Sequence, residues 1–166
     1  SRENCNAIIE SKTNKLIQGC ANTIIPSTIT TIGSYAFVYN LALEEIVIPN
    51  GVTEIQEHAF YGCDYLEKIT MPRSVTTIGE NAFKYSGIKS LVIPSSVTYI
   101  GDSAFCGCNK LETSVINANI ISLPNSIFES CTSLQSIELC ASIKEINNTD
   151  IFSECNSLKI INYKGS

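Results

Sequence analysis

The side chains of this 166-residue chain with the most reactive chemistry are eight cysteines and one histidine, His58. Both residue types bind metals and serve in nucleophilic catalysis, so their spacing decides whether they form a site. Cys106 and Cys108 form the one close pair, whereas a closed zinc site needs about four ligands. Any catalytic triad would have to use the sole histidine, and no common motif pairs carboxylates. We therefore expect no metal, no cofactor and no enzymatic activity.

Four of the cysteines occupy one recurring position, three residues after a phenylalanine: Cys63, Cys108, Cys131 and Cys155. The same position holds Asn40 and Ser86 elsewhere. A position that accepts Cys, Ser or Asn suits a small side chain at a turn, where a thiol packs or bonds weakly to the backbone. The alternative is a disulfide, which the even cysteine count permits if the protein is exported. Cys5 and Cys20 are then the favoured pair, because both lie in the N-terminal segment that is expected to cap the repeats.

These positions recur because the chain is a repeat. The segments 25–37, 48–60, 71–83 and 93–105 share the template apolar-Pro-x-x-Val/Ile-Thr-x-Ile-Gly-x-x-Ala-Phe, although the second has Gln56 in place of glycine. Successive phenylalanines are 23, 23, 22, 23 and 24 residues apart, at Phe37, Phe60, Phe83, Phe105, Phe128 and Phe152. A fixed period of this length indicates about six turns of a solenoid. In the same alignment His58 is replaced in every other copy, which indicates a variable surface position.

Within one period, "YGCDYLEKITMP" places Leu66, Ile69 and Met71 at the spacing L-x-x-I-x-I. The final alternation predicts a strand over about 68–71 with one buried face. The following Pro72 lacks an N–H and ends the pairing. Gly79 is expected to allow a sharp corner, and the next residues to form a short helical or 3₁₀ turn.

One period cannot bury its own apolar side, so the copies must stack and pair their strands in a parallel sheet. Buried columns should then run through the stack. They are the phenylalanines and the column Leu43, Leu66, Ile88, Leu111, Leu134 and Leu158. We expect residues 1–166 to form a single domain.

The chain resembles the BspA-type leucine-rich repeats over residues 16–163, most specifically at "LEKITMPRSVTTIGENAF". The resemblance implies an α/β repeat solenoid: a right-handed horseshoe with a parallel β-sheet on its concave face and short helical or 3₁₀ turns. It also implies an exported or cell-surface protein that acts in adhesion or protein binding. The match weakens over 113–119 and 141–150, where a bulge or loop is expected in place of a regular strand.

The ends of the repeat array differ from each other. Residues 1–25 carry two short apolar segments, 7–9 and 16–17, around a polar turn, which predicts a β-hairpin that caps the first of the repeats in 26–166. No comparable polar cap follows "LKIINYKGS". The last coil should therefore have an open edge unless the natural chain continues.

Composition limits the partners. The net charge of −5 argues against nucleic-acid binding, which concentrates Lys and Arg on one face. The longest uncharged stretch contains Asn, Ser and Pro throughout, so no membrane span is expected. We expect a monomer, and the resemblance implies that its partner is a host extracellular or matrix protein.

The residues between the buried ones of each strand point outward and form the candidate binding face. They make two columns: Glu45, Lys68, Ser90, Thr113, Ser136 and Ile160, and Val47, Thr70, Val92, Val115, Glu138 and Asn162. The second column is rich in β-branched residues, which suit any pleated surface. The functional interpretation is a shallow protein-binding stripe. The alternative function is a rigid spacer that displays another domain and needs no such stripe.

Overall fold

The computed structural model describes residues 7–146 and 149–164 of the chain. Within these ranges there are twelve strands, one 3₁₀ helix and no α-helix. The 3₁₀ helix is Thr149–Phe152. The strands are β1 Ile8–Glu10, β2 Lys15–Gln18, β3 Thr31–Ile32, β4 Glu45–Val47, β5 Glu54–Ile55, β6 Lys68–Thr70, β7 Thr77–Ile78, β8 Ser90–Ile93, β9 Tyr99–Ile100, β10 Thr113–Ile116, β11 Ser136–Leu139 and β12 Ile160–Tyr163.

Each coil contributes one longer strand and one turn segment around its phenylalanine, and the coils of Phe37, Phe60, Phe83 and Phe105 also contribute a two-residue strand. The short strands form a sheet in the order β1-β2-β3-β5-β7-β9, and the longer strands form the sheets β4-β6 and β8-β10-β11-β12. Every pairing after the antiparallel β1–β2 is parallel. The chain is therefore a parallel β-solenoid of about six turns, as predicted. The α/β label fits poorly, because the one helix in the described ranges is a 3₁₀ helix of four residues.

The core consists of the predicted columns. Phe83 is fully buried and lies parallel to Phe60 and Phe105, with ring centroids 5.0 and 5.3 Å away. The spacing widens along the column to 6.2 Å between Phe128 and Phe152, where the last ring is partly exposed. The leucine column is buried to the same extent from Leu43 to Leu134. Coils stacked in register place like side chains on like, so the repeat period itself builds the core.

The turn segments were predicted to be helical or 3₁₀, and only the last one is, as the 3₁₀ helix Thr149–Phe152. The other five each contain two left-handed residues. One stands two positions before the phenylalanine and one two positions after it. The first set has φ of 51–61° at Tyr35, His58, Asn81, Ser103 and Ser126. The second has φ of 51–69° at Tyr39, Gly62, Tyr85, Gly107, Ser130 and Glu154. Such residues cannot continue a right-handed helix.

Hydrogen bonds between coils offset the cost of this conformation. The N–H groups of His58, Phe60 and Gly62 donate to carbonyls of the next coil at 3.0, 2.7 and 2.8 Å. Gly79 was expected to turn the corner, but its φ is not positive. An added Cβ would instead lie 2.5 Å from the backbone nitrogen of Glu57, so glycine is needed there for close approach between coils.

The expected irregularity over 113–119 is also wrong for its first half. β10 pairs in register with both β8 and β11. Ser114 occupies the inward position and is buried, and its hydroxyl has no hydrogen-bond partner. Asn117 stands where other coils have proline, and its N–H donates to the Ile93 carbonyl at 3.0 Å, which extends the ladder. A small inward residue and a restored donor therefore keep the strand regular.

At the N-terminal end, β1 and β2 form the expected hairpin, and β2 pairs with β3. That this hairpin acts as a cap stays a prediction, as do the handedness and the curvature of the solenoid. At the other end, all four residues of β12 are exposed.

Candidate functional site

The outward residues of β4, β6, β8, β10, β11 and β12 form one surface, named here the strand face. The two predicted columns lie in register within each of its two sheets. Glu45 pairs with Lys68 and Val47 with Thr70. Ser90, Thr113 and Ser136 follow one another in the second sheet, as do Val92, Val115 and Glu138. Parallel pairing in register therefore brings all ten predicted residues onto one surface.

Three apolar residues of the strand face are highly exposed: Val47, Val92 and, on β12, Ile160, which is 50% exposed. Val47 and Val92 are 58% and 59% exposed, whereas Val115 is half-buried. Charged pairs flank them. Lys89 Nζ lies 2.6 Å from Glu67 Oε2, which holds the pKa of that carboxyl below its usual value, and Lys164 pairs with Glu138. The surface thus has apolar patches beside charged residues, a composition typical of protein-interaction sites.

A cleft of about 530 Å³ interrupts the strand face between β6 and β8. No ladder joins these two strands within the described part of the chain, although Lys89 N–H donates to the Glu67 carbonyl at 3.2 Å beside the gap. The lining residues are Ile69, Thr70, Met71, Arg73, Ser90, Val92, Pro94, Ser95 and Asn117.

Ile69 and Met71 were predicted to point inward, and they are only partly buried here because they also line the cleft. Arg73 is exposed, and no described residue forms an ion pair with it. Neither Arg73 nor the cleft was predicted from the sequence. The signal was present in the 22-residue spacing between Phe83 and Phe105, where the other spacings are 23 or 24.

The cysteine column is a packing ladder, as predicted. The thiols of Cys63, Cys108, Cys131 and Cys155 donate to the carbonyls of Phe37, Phe83, Phe105 and Phe128 at 3.0–3.2 Å. Burial raises the pKa of Cys63 and of Cys108 to about 12. A protonated thiol is a poor nucleophile and a poor metal ligand, so the column is structural. The suggested partner of Cys20, Cys5, lies outside the described residues, as do Asn147 and Asn148 of the expected irregular region.

His58 lies in an aromatic cluster on the turn segments. Its ring stacks on Tyr35 at 4.8 Å and lies 5.4 Å from Tyr61. It is partly buried, in contrast to the surface position predicted for it. Its Nδ1 is buried without a hydrogen-bond partner, so no carboxylate orients the ring as a general base requires.

Neither a metal centre nor a membrane span occurs in the described ranges. No group of three or more His, Cys, Asp or Glu residues is arranged to hold a metal ion there. No helix in that part of the chain is long and apolar enough to cross a membrane.

Stacked coils of 22 to 24 residues with an L-x-x-I-x-I strand and a buried phenylalanine column define the class of leucine-rich-repeat solenoids. The sequence model of the BspA type leucine rich repeat region matches six copies over residues 30–159. The chain therefore belongs to the BspA-type leucine-rich repeat family, which confirms the resemblance. No curated protein sequence matches it.

Solved structures of bacterial proteins share the fold. A leucine-rich repeat protein from Bacteroides ovatus is 34% identical, with a TM-score of 0.61 over 80% of this chain and 40% of its own. The T. pallidum leucine-rich repeat protein is 20% identical, with a TM-score of 0.72 over 96% and 90%. The pneumococcal vaccine antigen PcpA is 24% identical, with a TM-score of 0.74 over 96% and 44%. This chain thus spans less than half the length of two of these three proteins.

Proposed function

We propose that this chain is a non-enzymatic adhesion module that binds a host extracellular or matrix protein through the strand face. Leucine-rich repeats of this family are usually protein-interaction or surface modules, and a vaccine antigen among the structural neighbours supports a surface role. The module acts as a monomer at the cell surface or outside the cell, with residues 1–25 capping the repeats of 26–166. The whole forms a single domain.

The observation that carries this proposal is the exposed apolar surface around the β6–β8 cleft. Val92 lies at its edge with more than half of its side chain in water, and Ile69 and Met71 are open to it. A partner that covers this surface removes apolar area from water, which is the main favourable term in protein association. Arg73, Lys68 and Glu45 supply charges that orient a partner without adding much affinity.

The test compares two substitutions of exposed apolar residues by glutamate. Val92→Glu places a charge at the cleft, and Ile121→Glu places one on a residue that is 70% exposed and outside the strand face. The folded domain and both variants are tested by biolayer interferometry against immobilised collagen, laminin and vitronectin. We expect Val92→Glu to weaken any detected binding at least tenfold and Ile121→Glu to leave it unchanged. Equal binding by the two variants would show that the strand face is the wrong surface.

A rigid spacer is the second candidate, and the stacked phenylalanine rings favour it. A continuous column from Phe37 to Phe152, with hydrogen bonds between neighbouring coils, resists bending. A spacer tolerates charge reversals at every outward strand position. If the chain is a spacer, Lys68→Glu and Glu45→Lys should change neither binding nor stability. If the strand face is an adhesion surface, the same substitutions should weaken binding.

A further inference from the structure

The coil that contains Phe83 is one residue shorter than its neighbours, and the missing residue falls in one corner. In the preceding coil Asp64 and Tyr65 lie between Cys63 and Leu66, and in the following coil Asn109 and Lys110 lie between Cys108 and Leu111. Here only Gly87 lies between Ser86 and Ile88.

Gly87 lies close against the backbone of the preceding coil. It is buried, and an added Cβ would lie 2.1 Å from the Asp64 carbonyl oxygen. The corners on either side are not drawn in, and Lys110 Nζ reaches past the shortened corner to the same carbonyl at 2.9 Å. A cleft of about 390 Å³ results, named here the corner notch. Its volume is at the lower end of the range for small-molecule sites, ~300–1,000 Å³.

Aromatic rings form the walls of the corner notch. Tyr65 and Tyr85 are 54% and 45% exposed, and both line it. The Tyr85 ring also packs on the backbone of Gly107, where an added Cβ would lie 2.2 Å from the ring. The position of the Tyr85 ring is therefore held by the scaffold before any ligand arrives, which lowers the entropic cost of binding.

Polar groups in the corner notch have unused hydrogen-bonding capacity. No described residue donates to the Asp64 carboxylate or bonds the side-chain amide of Asn109. Lys110 uses one of its three ammonium protons on the Asp64 carbonyl, and its Nζ also lies over the Tyr65 ring, 5.1 Å from the centroid. The corner notch thus offers a carboxylate that accepts hydrogen bonds, an ammonium group that donates them and an amide that does both. One carboxylate and one ammonium leave it without net charge, which disfavours a phosphate or a carboxylate as ligand.

We propose that the corner notch binds one neutral pyranose ring of a glycan, packed between Tyr65 and Tyr85 and hydrogen-bonded through its hydroxyls to Asp64, Asn109 and Lys110. A pyranose has an apolar C–H face that packs on an aromatic ring. Its hydroxyls each donate and accept, and so match the three polar side chains. This site lies on a corner outside the strand face and does not depend on the function proposed for that face.

The test is titration of the ¹⁵N-labelled domain with the methyl glycosides of glucose, galactose, mannose and N-acetylglucosamine, followed by amide chemical shifts. At least one glycoside should shift the amides of Gly87, Gly107 and Asn109 in a saturable way, with a Kd on the order of 1–10 mM. A mannose-rich glycoprotein, its deglycosylated form and a soluble glucan then distinguish a protein-borne glycan from a polysaccharide.

Variants separate this site from nonspecific binding. Tyr65→Ala should weaken binding roughly five- to tenfold, and Asn109→Ala by a similar factor. Tyr99→Ala, which removes a tyrosine that is 58% exposed elsewhere, should bind as the parent does. Insertion of alanine between Gly87 and Ile88 restores the 23-residue spacing and should abolish binding while the thermal melt stays cooperative. The proposal is overturned if no glycoside saturates by about 50 mM, or if Tyr65→Ala and Tyr99→Ala bind equally.

Discussion

Replacement of Phe83 by alanine tests how far the stacked rings determine stability. Phe83 is fully buried between Phe60 and Phe105. Truncation of a buried phenylalanine costs about 3–5 kcal/mol, and both stacking contacts are lost with the ring. For a domain of this size 1 kcal/mol shifts Tm by roughly 2–4 °C, so Tm should fall by roughly 6–20 °C. The measurements are urea unfolding followed by circular dichroism and a calorimetric melt.

Phe152→Ala is the matched control, since it removes the same side chain from the end of the same column. Phe152 has one ring neighbour, at 6.2 Å, and is already partly exposed, so its replacement should cost about half as much. Equal losses for the two variants, or a loss below about 1 kcal/mol for Phe83→Ala, would show that the column does not carry the core.

The thiols and the glycines give three further predictions. Native Cys63 and Cys108 should resist iodoacetamide at pH 8 and react fully in urea, because a pKa of about 12 keeps them protonated; rapid native labelling would contradict their burial. Since their folded pKa lies above the unfolded value, the thiols favour the fold below pH 9 and lose this contribution as the pH rises toward 12. At pH 10.5 the free energy of unfolding should have fallen by about 2 kcal/mol for each thiol. The urea midpoint of Cys63→Ala should therefore depend less on pH than that of the parent protein. Gly79→Ala should cost about 1–3 kcal/mol in urea unfolding, since its Cβ would collide with the backbone of Glu57, and a neutral effect would mean that the coils separate easily.

The elements that the sequence predicted well are those that recur. Phe83, Leu66 and Cys63 each have a counterpart one period away, so alignment of the chain with itself is enough to assign them to columns. Burial then follows from stacking, because a coil with one apolar side has no other partner for it. The outward columns of the strand face were predicted by the same argument, and their register within each sheet follows from parallel pairing; their role in binding stays a prediction.

The turn conformation could not be read from residue type. Positive φ is expected at glycine, but Gly79 has no positive φ, while Tyr35, His58 and Asn81 have it. These residues adopt it because their N–H groups must reach a carbonyl of the next coil, a long-range requirement that local propensity does not contain. The prediction of helical turns rested on a local sequence pattern. Hydrogen bonds between coils impose a different backbone conformation on these residues.

The two clefts flank the same irregularity, and this links them to the sequence. The corner at Gly87 is one residue shorter than the corresponding corners of the adjacent coils, so the chain enters β8 by a different path. We infer that this path leaves β6 and β8 unpaired and opens the corner notch beside Gly87. Restoring one residue after Gly87 should therefore both close the corner notch and allow a ladder between β6 and β8, seen as increased hydrogen-exchange protection of Leu91 and Met71 amides. If the notch closed while those amides stayed unprotected, the strand-face cleft would have a separate cause in the side chains of Ile69 and Arg73.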